Sequence, residues 1–275
     1  KHRYHTPANR VRHRRQVLYV MHKPCSGTLN ISSDEWQIMT ETRETLADFP
    51  ITKRWPAQHP DRIQLYSFPT PNGVKISIAL EELGLPYEAH LVTLADADVK
   101  SPEFLSLNPN NKIPAIIDPN GPDGKPIGLF ESGAILVYLA KKAEKLMGNT
   151  EAEKLNTLQW LMFQMGGIGP MLGQLGFFWA FAGKEIEDPR PRERYINEAK
   201  RLLGVLDGEL ADRDWIAGDY SIADIAIVPW LQTISRFYKA EDATGLNGFK
   251  NVLAYIDRFA ARPAVEKGWN IPPRD

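Results

Sequence analysis

The sequence predicts an α/β domain followed by an all-helical domain. Between Ile63 and Lys145, short β-prone runs alternate with helical stretches. After Gly148 the strand signals stop, and apolar residues recur at helical spacing to about Phe259. A chain of 275 residues with 43% hydrophobic content can fill two ordinary cores. The expected division is an extension over 1–61, the α/β domain over 62–146, the helical domain over 151–262 and a tail over 263–275.

The first element is a strand, Ile63–Phe68, which meets the turn Pro69-Thr70-Pro71-Asn72-Gly73. A helix follows: Ile76, Ala79, Leu80 and Leu83 fall at i, i+3, i+4 and i+7, and Gly84 with Pro86 ends it. Tyr87–Val92 is the next strand, with Tyr87, Ala89 and Leu91 alternating onto one face. Ser101-Pro102-Glu103 suggests a helix near 101–107. Strands Ile113–Asp118 and Pro126–Phe130 flank a turn rich in Pro, Asn, Gly and Asp, and a helix runs from about Ser132 to Lys145. The order βαβ then ββα is that of a thioredoxin-like domain.

In the second half, Leu155, Leu158, Leu161, Met162 and Met165 form one apolar stripe. Gly166-Gly167 and Gly169-Pro170 should kink or break that helix. Tyr195, Ala199, Leu202, Leu203, Leu206 and Leu210 form a second stripe after Pro191. Stripes of this kind ordinarily bury against neighbouring helices, and both are expected in the core.

The formal net charge of −1 gives no global field that would attract nucleic acid or an anionic membrane, so neither is expected as a partner. Residues 1–15 are basic and histidine-rich (Lys1, Arg3, Arg10, Arg12, Arg14 and Arg15, with His2, His5 and His13). They read as an arm of solvated charge, with a nucleic-acid tail as the sharper alternative. The stretch from Met39 reads like a translation start, which would put 1–38 upstream of the natural protein. The single cysteine, Cys25, can form no intrachain disulfide, and no Cys/His spacing suggests a metal site. With no apolar run of membrane-spanning length, the expectation is a soluble cytoplasmic protein.

Three short motifs carry chemistry. In the turn after the first strand, Thr70 offers a hydroxyl donor and Asn72 an amide donor beside a helix N-terminus, whose unpaired N–H groups and dipole favour an anion such as a thiolate. The same two residues would also serve simply to shape the turn and cap the helix. In Asn108-Pro109-Asn110-Asn111-Lys112-Ile113-Pro114, a cis bond before Pro114 would turn the Ile113 N–H and C=O toward an open edge, where an extended peptide could pair. An ordinary edge strand with a trans proline is the alternative. In Phe130-Glu131-Ser132-Gly133, Glu131 and Ser132 suit a ligand carrying both an ammonium and a carboxylate, although Ser132 could be a helix cap alone.

Thr70-Pro71-Asn72-Gly73, Asn110-Asn111-Lys112-Ile113-Pro114 and Phe130-Glu131-Ser132-Gly133 occur in an order and at intervals that resemble the nu-class bacterial glutathione transferases. That family's relatives include disulfide-bond oxidoreductases. The resemblance covers about residues 62–262. In the helical half, Ser221-Ile222-Ala223-Asp224 looks like the capping box of that superfamily's core helix and is structural. The resemblance implies glutathione, reduced or as its disulfide, as cosubstrate. Thr70 and Asn72 would face its sulfur, and Ile113, preceding Pro114, would pair with the cysteinyl backbone. Glu131 and Ser132 would hold the γ-glutamyl group, and Asn111 and Lys112 would lie along the glycyl end. Arg194 sits where such enzymes carry a ligand-contacting arginine, and a solvated arginine is the alternative. A homodimer packed near the Met165–Met171 helix is also implied.

No cysteine occupies the active turn, so the mixed-disulfide route of cysteine-type relatives is closed here. Tyr66 and Ser67 precede the turn, but alternation puts at least one of them in the sheet core. Thr70 and Asn72 remain as the expected catalytic pair. Lowering a thiol pKa of about 8.5 by about two units requires roughly 2.7 kcal/mol, which two or three hydrogen bonds with a helix dipole can supply. The resemblance favours disulfide exchange or peroxide reduction over conjugation to a bulky electrophile. A noncatalytic regulatory protein that binds glutathione is the alternative function.

Overall fold

In the computed structural model, which describes residues 43–274, strand β1 (Ile63–Ser67) is buried at all five residues because it has a partner on each side and a layer on each face. β2 (Tyr87–Leu91) pairs with it in parallel, Leu65 opposite Ala89. β3 (Ala115–Asp118) pairs antiparallel on the other side, Leu65 opposite Ile116, and β4 (Ile127–Phe130) closes the order β2-β1-β3-β4. The parallel pair needs a crossover, and helix α1 (Gly73–Leu83) supplies it. Gly84, in the left-handed conformation at φ 66°, ends α1, and the Leu85 N–H reaches back to Leu80 O at 3.1 Å.

The expected elements near 101–107 and 113–118 are shorter in the structure for identifiable reasons. α2 (Pro102–Leu105) is one turn capped by the Ser101 hydroxyl, which accepts from the Phe104 N–H at 3.2 Å. It winds down before Pro109, which disfavours helix at the residue preceding it. β3 begins at Ala115, not Ile113. Pro114 has no N–H for the ladder, the Ile113-Pro114 bond is cis, and Lys112 O is taken by the Asn108 side chain.

One face of the sheet packs on α1 and α3 (Ser132–Ala143), and its core, with Leu65, Ile76, Ile116 and Leu136, runs on into the helical domain. The other face holds Tyr66, Val92, Ala115 and Ile117 against Leu46, Phe49, Ile51 and Phe104. Residues 46–53, assigned by sequence to the extension, therefore build one layer of the α/β domain. Tyr66 and Ser67 are both fully buried. The basic arm 1–15, Cys25 and the segment around Met39 lie outside the described residues.

α4 (Glu151–Phe163) begins at a Thr150 capping box closed by Glu153. The Gly-rich segment after it does not break the helix. A widened π-helical turn, Gln164–Ile168, leads directly into α5 (Gly169–Trp179) and accommodates Pro170. The stripe expected on α4 is only partly in the core, because Leu155 and Met162 are 65% and 54% exposed. The buried seam runs instead through Thr157, Trp160, Leu161 and Gln164, two of them polar, which apolar periodicity passes over. α6 (Pro189–Glu209) buries Ala199, Leu202, Leu203 and Leu206 as expected.

α7 (Ile222–Thr233) is the central helix, with every residue except Trp230 buried. Its capping box forms: the Ser221 N–H donates to Asp224 Oδ2 at 2.8 Å, and Asp224 Oδ1 accepts from the Ile216 N–H at 3.0 Å and the Tyr255 hydroxyl at 2.7 Å. α8 (Lys250–Ala260) packs beside it. α9 (Pro263–Gly268), in the segment expected as a tail, docks on α1, with the Ser77 hydroxyl donating to Gly268 O at 2.6 Å.

Candidate functional site

The site is built at the N-terminus of α1. Gly73 is required there, since a Cβ would stand 1.9 Å from Phe68 O. Thr70 caps the helix: its Oγ1 accepts from the Gly73 N–H at 3.2 Å and its carbonyl from the Val74 N–H at 3.0 Å. Those bonds use only acceptor capacity, so the hydroxyl proton is left to donate. Asn72 makes no capping bond. Its Oδ1 accepts from the Trp230 indole N–H at 2.9 Å, and its Nδ2 has no protein partner among the described residues.

A cavity of about 150 Å³ opens beside Asn72. The loop before β3 contributes Asn108, Asn110, Lys112, Ile113 and Pro114, and the β4–α3 junction contributes Glu131 and Ser132, with Met165 on the far wall. Asn108 is buried and holds the loop together: its Nδ2 donates to Lys112 O and its Oδ1 accepts from the Asn110 N–H at 2.9 Å. Glu131 sits just before α3 at φ 70°, a left-handed conformation that costs a non-glycine residue on the order of 1–3 kcal/mol and clusters at functional sites.

Behind Ser132 lies Lys75, fully buried in α1. Its Nζ donates to Gln164 Oε1 at 2.7 Å and to Ser132 Oγ at 3.2 Å, with Met165 Sδ at 3.7 Å. Burial pulls the Lys75 ammonium down to about 7, and the negative charge of Glu131 opposes that pull.

The structure thus brings Asn72, Lys112, Ile113, Pro114, Glu131 and Ser132 around one cavity. Thr70 lines a neighbouring apolar pocket of about 320 Å³ with Phe68, Leu94, Phe181, Phe237 and Tyr238, beside Arg274, which stacks on Phe68. The turn therefore stands between a polar cavity and an apolar one. Asn111, at φ 51°, lines neither, and Asn110 occupies the wall in its place. Arg194 is exposed on α6 and lines neither. A larger groove of about 480 Å³ lies at the other end of α3, among surface charges such as the Lys154–Glu151 pair.

Sequence reasoning missed Lys75, Gln164 and Trp230, and gave Asn108 no role of its own within the loop motif. Lys75 left one signal, since its position four residues before Ala79 puts a charge on the apolar stripe of α1. Gln164 and Trp230 leave none, because each matters through a partner distant in sequence.

Family models describe the same two parts. The N-terminal domain of glutathione S-transferases matches residues 62–141, and the C-terminal domain matches 172–263. The disulfide-bond oxidoreductase YfcG of Escherichia coli is 45% identical over 205 residues, 74% of this chain and 92% of that protein. YghU of the same organism, also named a disulfide-bond oxidoreductase, is 41% identical over 77% of this chain and 74% of its own length. Among solved structures, a glutathione transferase from Pseudomonas putida with one glutathione disulfide bound per subunit shares 61% identity. Its TM-score is 0.82, over 83% of this chain and 99% of that one. A Burkholderia graminis glutathione transferase with two glutathione molecules bound per subunit shares 60% identity at a TM-score of 0.82, over 86% and 98% of the two chains.

Proposed function

The chain belongs to the glutathione S-transferase family, and from that premise we propose that it is an enzyme that binds glutathione and uses its sulfur in glutathione-dependent disulfide reduction. Glutathione or its disulfide is the cosubstrate; once ionised, its thiol is the nucleophile that exchanges with a disulfide. The observation that carries this reading is the polar cavity at the start of α1, where Asn72 presents an amide donor with no competing protein partner among the described residues.

The residues present fit such a ligand. Asn72 and the hydroxyl proton of Thr70 stand at the positive end of α1, where a developing thiolate is favoured. Ile113, excluded from the β3 ladder, keeps its backbone groups for an extended peptide. Ser132 opens α3 beside Glu131, so a carboxylate and an ammonium can be held side by side. Lys112 is placed for the glycyl end. Roles for Asn111 and Arg194 have no support from the walls of either pocket.

The Thr70-Pro71-Asn72 element favours the nu class within the family. Peroxide reduction belongs to the same reading, since it too begins with a thiolate, and conjugation to a small electrophile would use the apolar pocket beside Thr70. A cytoplasmic location fits a reaction that consumes reduced glutathione, and no helix among the described residues is long and apolar enough to cross a membrane. The assembly we favour is a homodimer. Leu155 and Met162, two turns apart on α4, leave an exposed apolar strip that a second copy would cover.

Turnover of glutathione with a small disulfide, a hydroperoxide and a chlorinated aromatic, compared side by side, tests the reading. The disulfide is expected to be the best substrate. Binding of glutathione with no turnover of any of the three would make the chain a glutathione-binding regulatory protein instead.

A further inference from the structure

Trp230 is the one residue of α7 that is not buried, and its indole crosses from the helical domain to the active turn. An indole N–H can only donate, so the Asn72 atom 2.9 Å from it must be the carbonyl oxygen. The amide is planar, and fixing Oδ1 on the indole sends Nδ2 away from it. Asn72 lines the polar cavity and its Nδ2 has no protein partner among the described residues, so the two amide protons are left for a ligand there.

The indole is itself held. Its ring lies on Gly169 and Gly173, one turn apart on α5, where a Cβ at either position would come within 3.5 Å of ring atoms. At Gly169 a Cβ would also stand 2.7 Å from Gln164 Nε2, the amide whose oxygen receives Lys75. The glycine-rich segment therefore forms the floor for this side chain, a role its sequence does not disclose.

We propose that Trp230 is a positioning residue for the reaction: it aims the Asn72 amide at the glutathione sulfur and so sets how acidic the bound thiol becomes. The acidity of the substrate then depends on the helical domain's seat on the turn. This rests on the reading of Asn72 as a sulfur donor.

The test measures the pKa of the bound thiol from its ultraviolet thiolate absorbance in wild type, Trp230→Phe, Asn72→Ala and the double variant. Affinity for S-methylglutathione, which has no thiol to ionise, is measured on the same samples. Trp230→Phe keeps an aromatic ring and removes the N–H. It should raise the bound thiol pKa by about one unit, a tenfold fall in the ratio of thiolate to thiol at any given pH. Affinity for S-methylglutathione should stay within about twofold, well under a tenfold effect. The double variant should match Asn72→Ala, because both changes act through one amide. If Asn72→Ala raises the pKa and a folded Trp230→Phe does not, the positioning role is wrong while the reading of the turn stands. If Asn72→Ala leaves the pKa unchanged, both are wrong. Should Trp230→Phe fail to fold, benzothienylalanine placed at position 230 keeps the bicyclic ring and replaces its N–H with sulfur; the proposal expects a raised pKa there and is overturned by an unchanged one.

Discussion

Lys75 Nζ stands 3.2 Å from Ser132 Oγ in a fully buried position, so a titratable cation lies directly behind the hydroxyl at the mouth of α3. Its other partners, Gln164 and Met165, are neutral, and the charge that acts on it is Glu131. A protonated Lys75 makes Ser132 an acceptor on that side and leaves the hydroxyl proton, whose protein acceptor is only the weak Met165 Sδ at 3.7 Å, for a ligand. A neutral Lys75 offers a lone pair that competes for it.

A ligand carboxylate at Ser132 adds a second negative charge near Lys75, so the ammonium in the complex should titrate above the about 7 of the free protein. Binding of S-methylglutathione is then expected to take up a fraction of a proton just above neutral pH and to weaken as pH rises through that window. Calorimetry in buffers of different ionisation enthalpy reads the uptake directly, and Lys75→Met should abolish it. Because burial puts the folded value below the usual 10.5, the unfolded chain binds more protons between about 7 and 10.5, and this group's contribution to stability rises with pH there. Lys75→Met should flatten that rise in denaturant midpoints measured across the same range.

Cys25→Ser should leave disulfide reductase turnover unchanged within about twofold, far less than the roughly 1.4 kcal/mol of a tenfold effect. No cysteine lies in the turn 69–73, so the chemistry proposed for it needs none from the chain. A drop to background in the steady-state assay would restore a protein thiol to the mechanism.

Asp224→Ala should be among the most destabilising single changes in the helical domain. The carboxylate is buried, and burial pushes its pKa up against the bonds from Ile216, Tyr255 and Ser221 that hold it ionised. Its removal leaves two buried backbone N–H groups and a tyrosine hydroxyl without their acceptor, a cost on the order of 3 kcal/mol or more. Urea unfolding should show the midpoint falling at constant slope, with glutathione affinity preserved at low denaturant.

The order of elements and the three motifs were legible because each is written in a short window. Turn residues at 69–73, a proline at a strand start and a serine before an apolar helix are local statements. The core helix was legible for the same reason, since Ser221 and Asp224 are three residues apart. What was not legible depends on partners far along the chain: Trp230 reaches Asn72 across 158 positions and Lys75 reaches Gln164 across 89. The outer layer supplied by Leu46, Phe49 and Ile51 escaped notice because short 3₁₀ turns carry no apolar period. The stripe on α4 misled because the seam facing the core includes Thr157 and Gln164.

Separating turnover from affinity decides whether the α1 turn activates a sulfur while the β4–α3 junction holds the ligand. Thr70→Ala and Asn72→Ala should each lower turnover by about 100- to 1,000-fold, the typical cost of one donor in a preorganised site. Calorimetry on the same samples should show glutathione affinity little changed, because Ile113, Glu131 and Ser132 remain in place. The double variant should fall by less than the product of the two. Glu131→Gln should do the reverse and weaken binding first. Wild-type turnover in both single variants at saturating glutathione would mean that neither side chain acts on the sulfur and would reduce the turn to a helix cap.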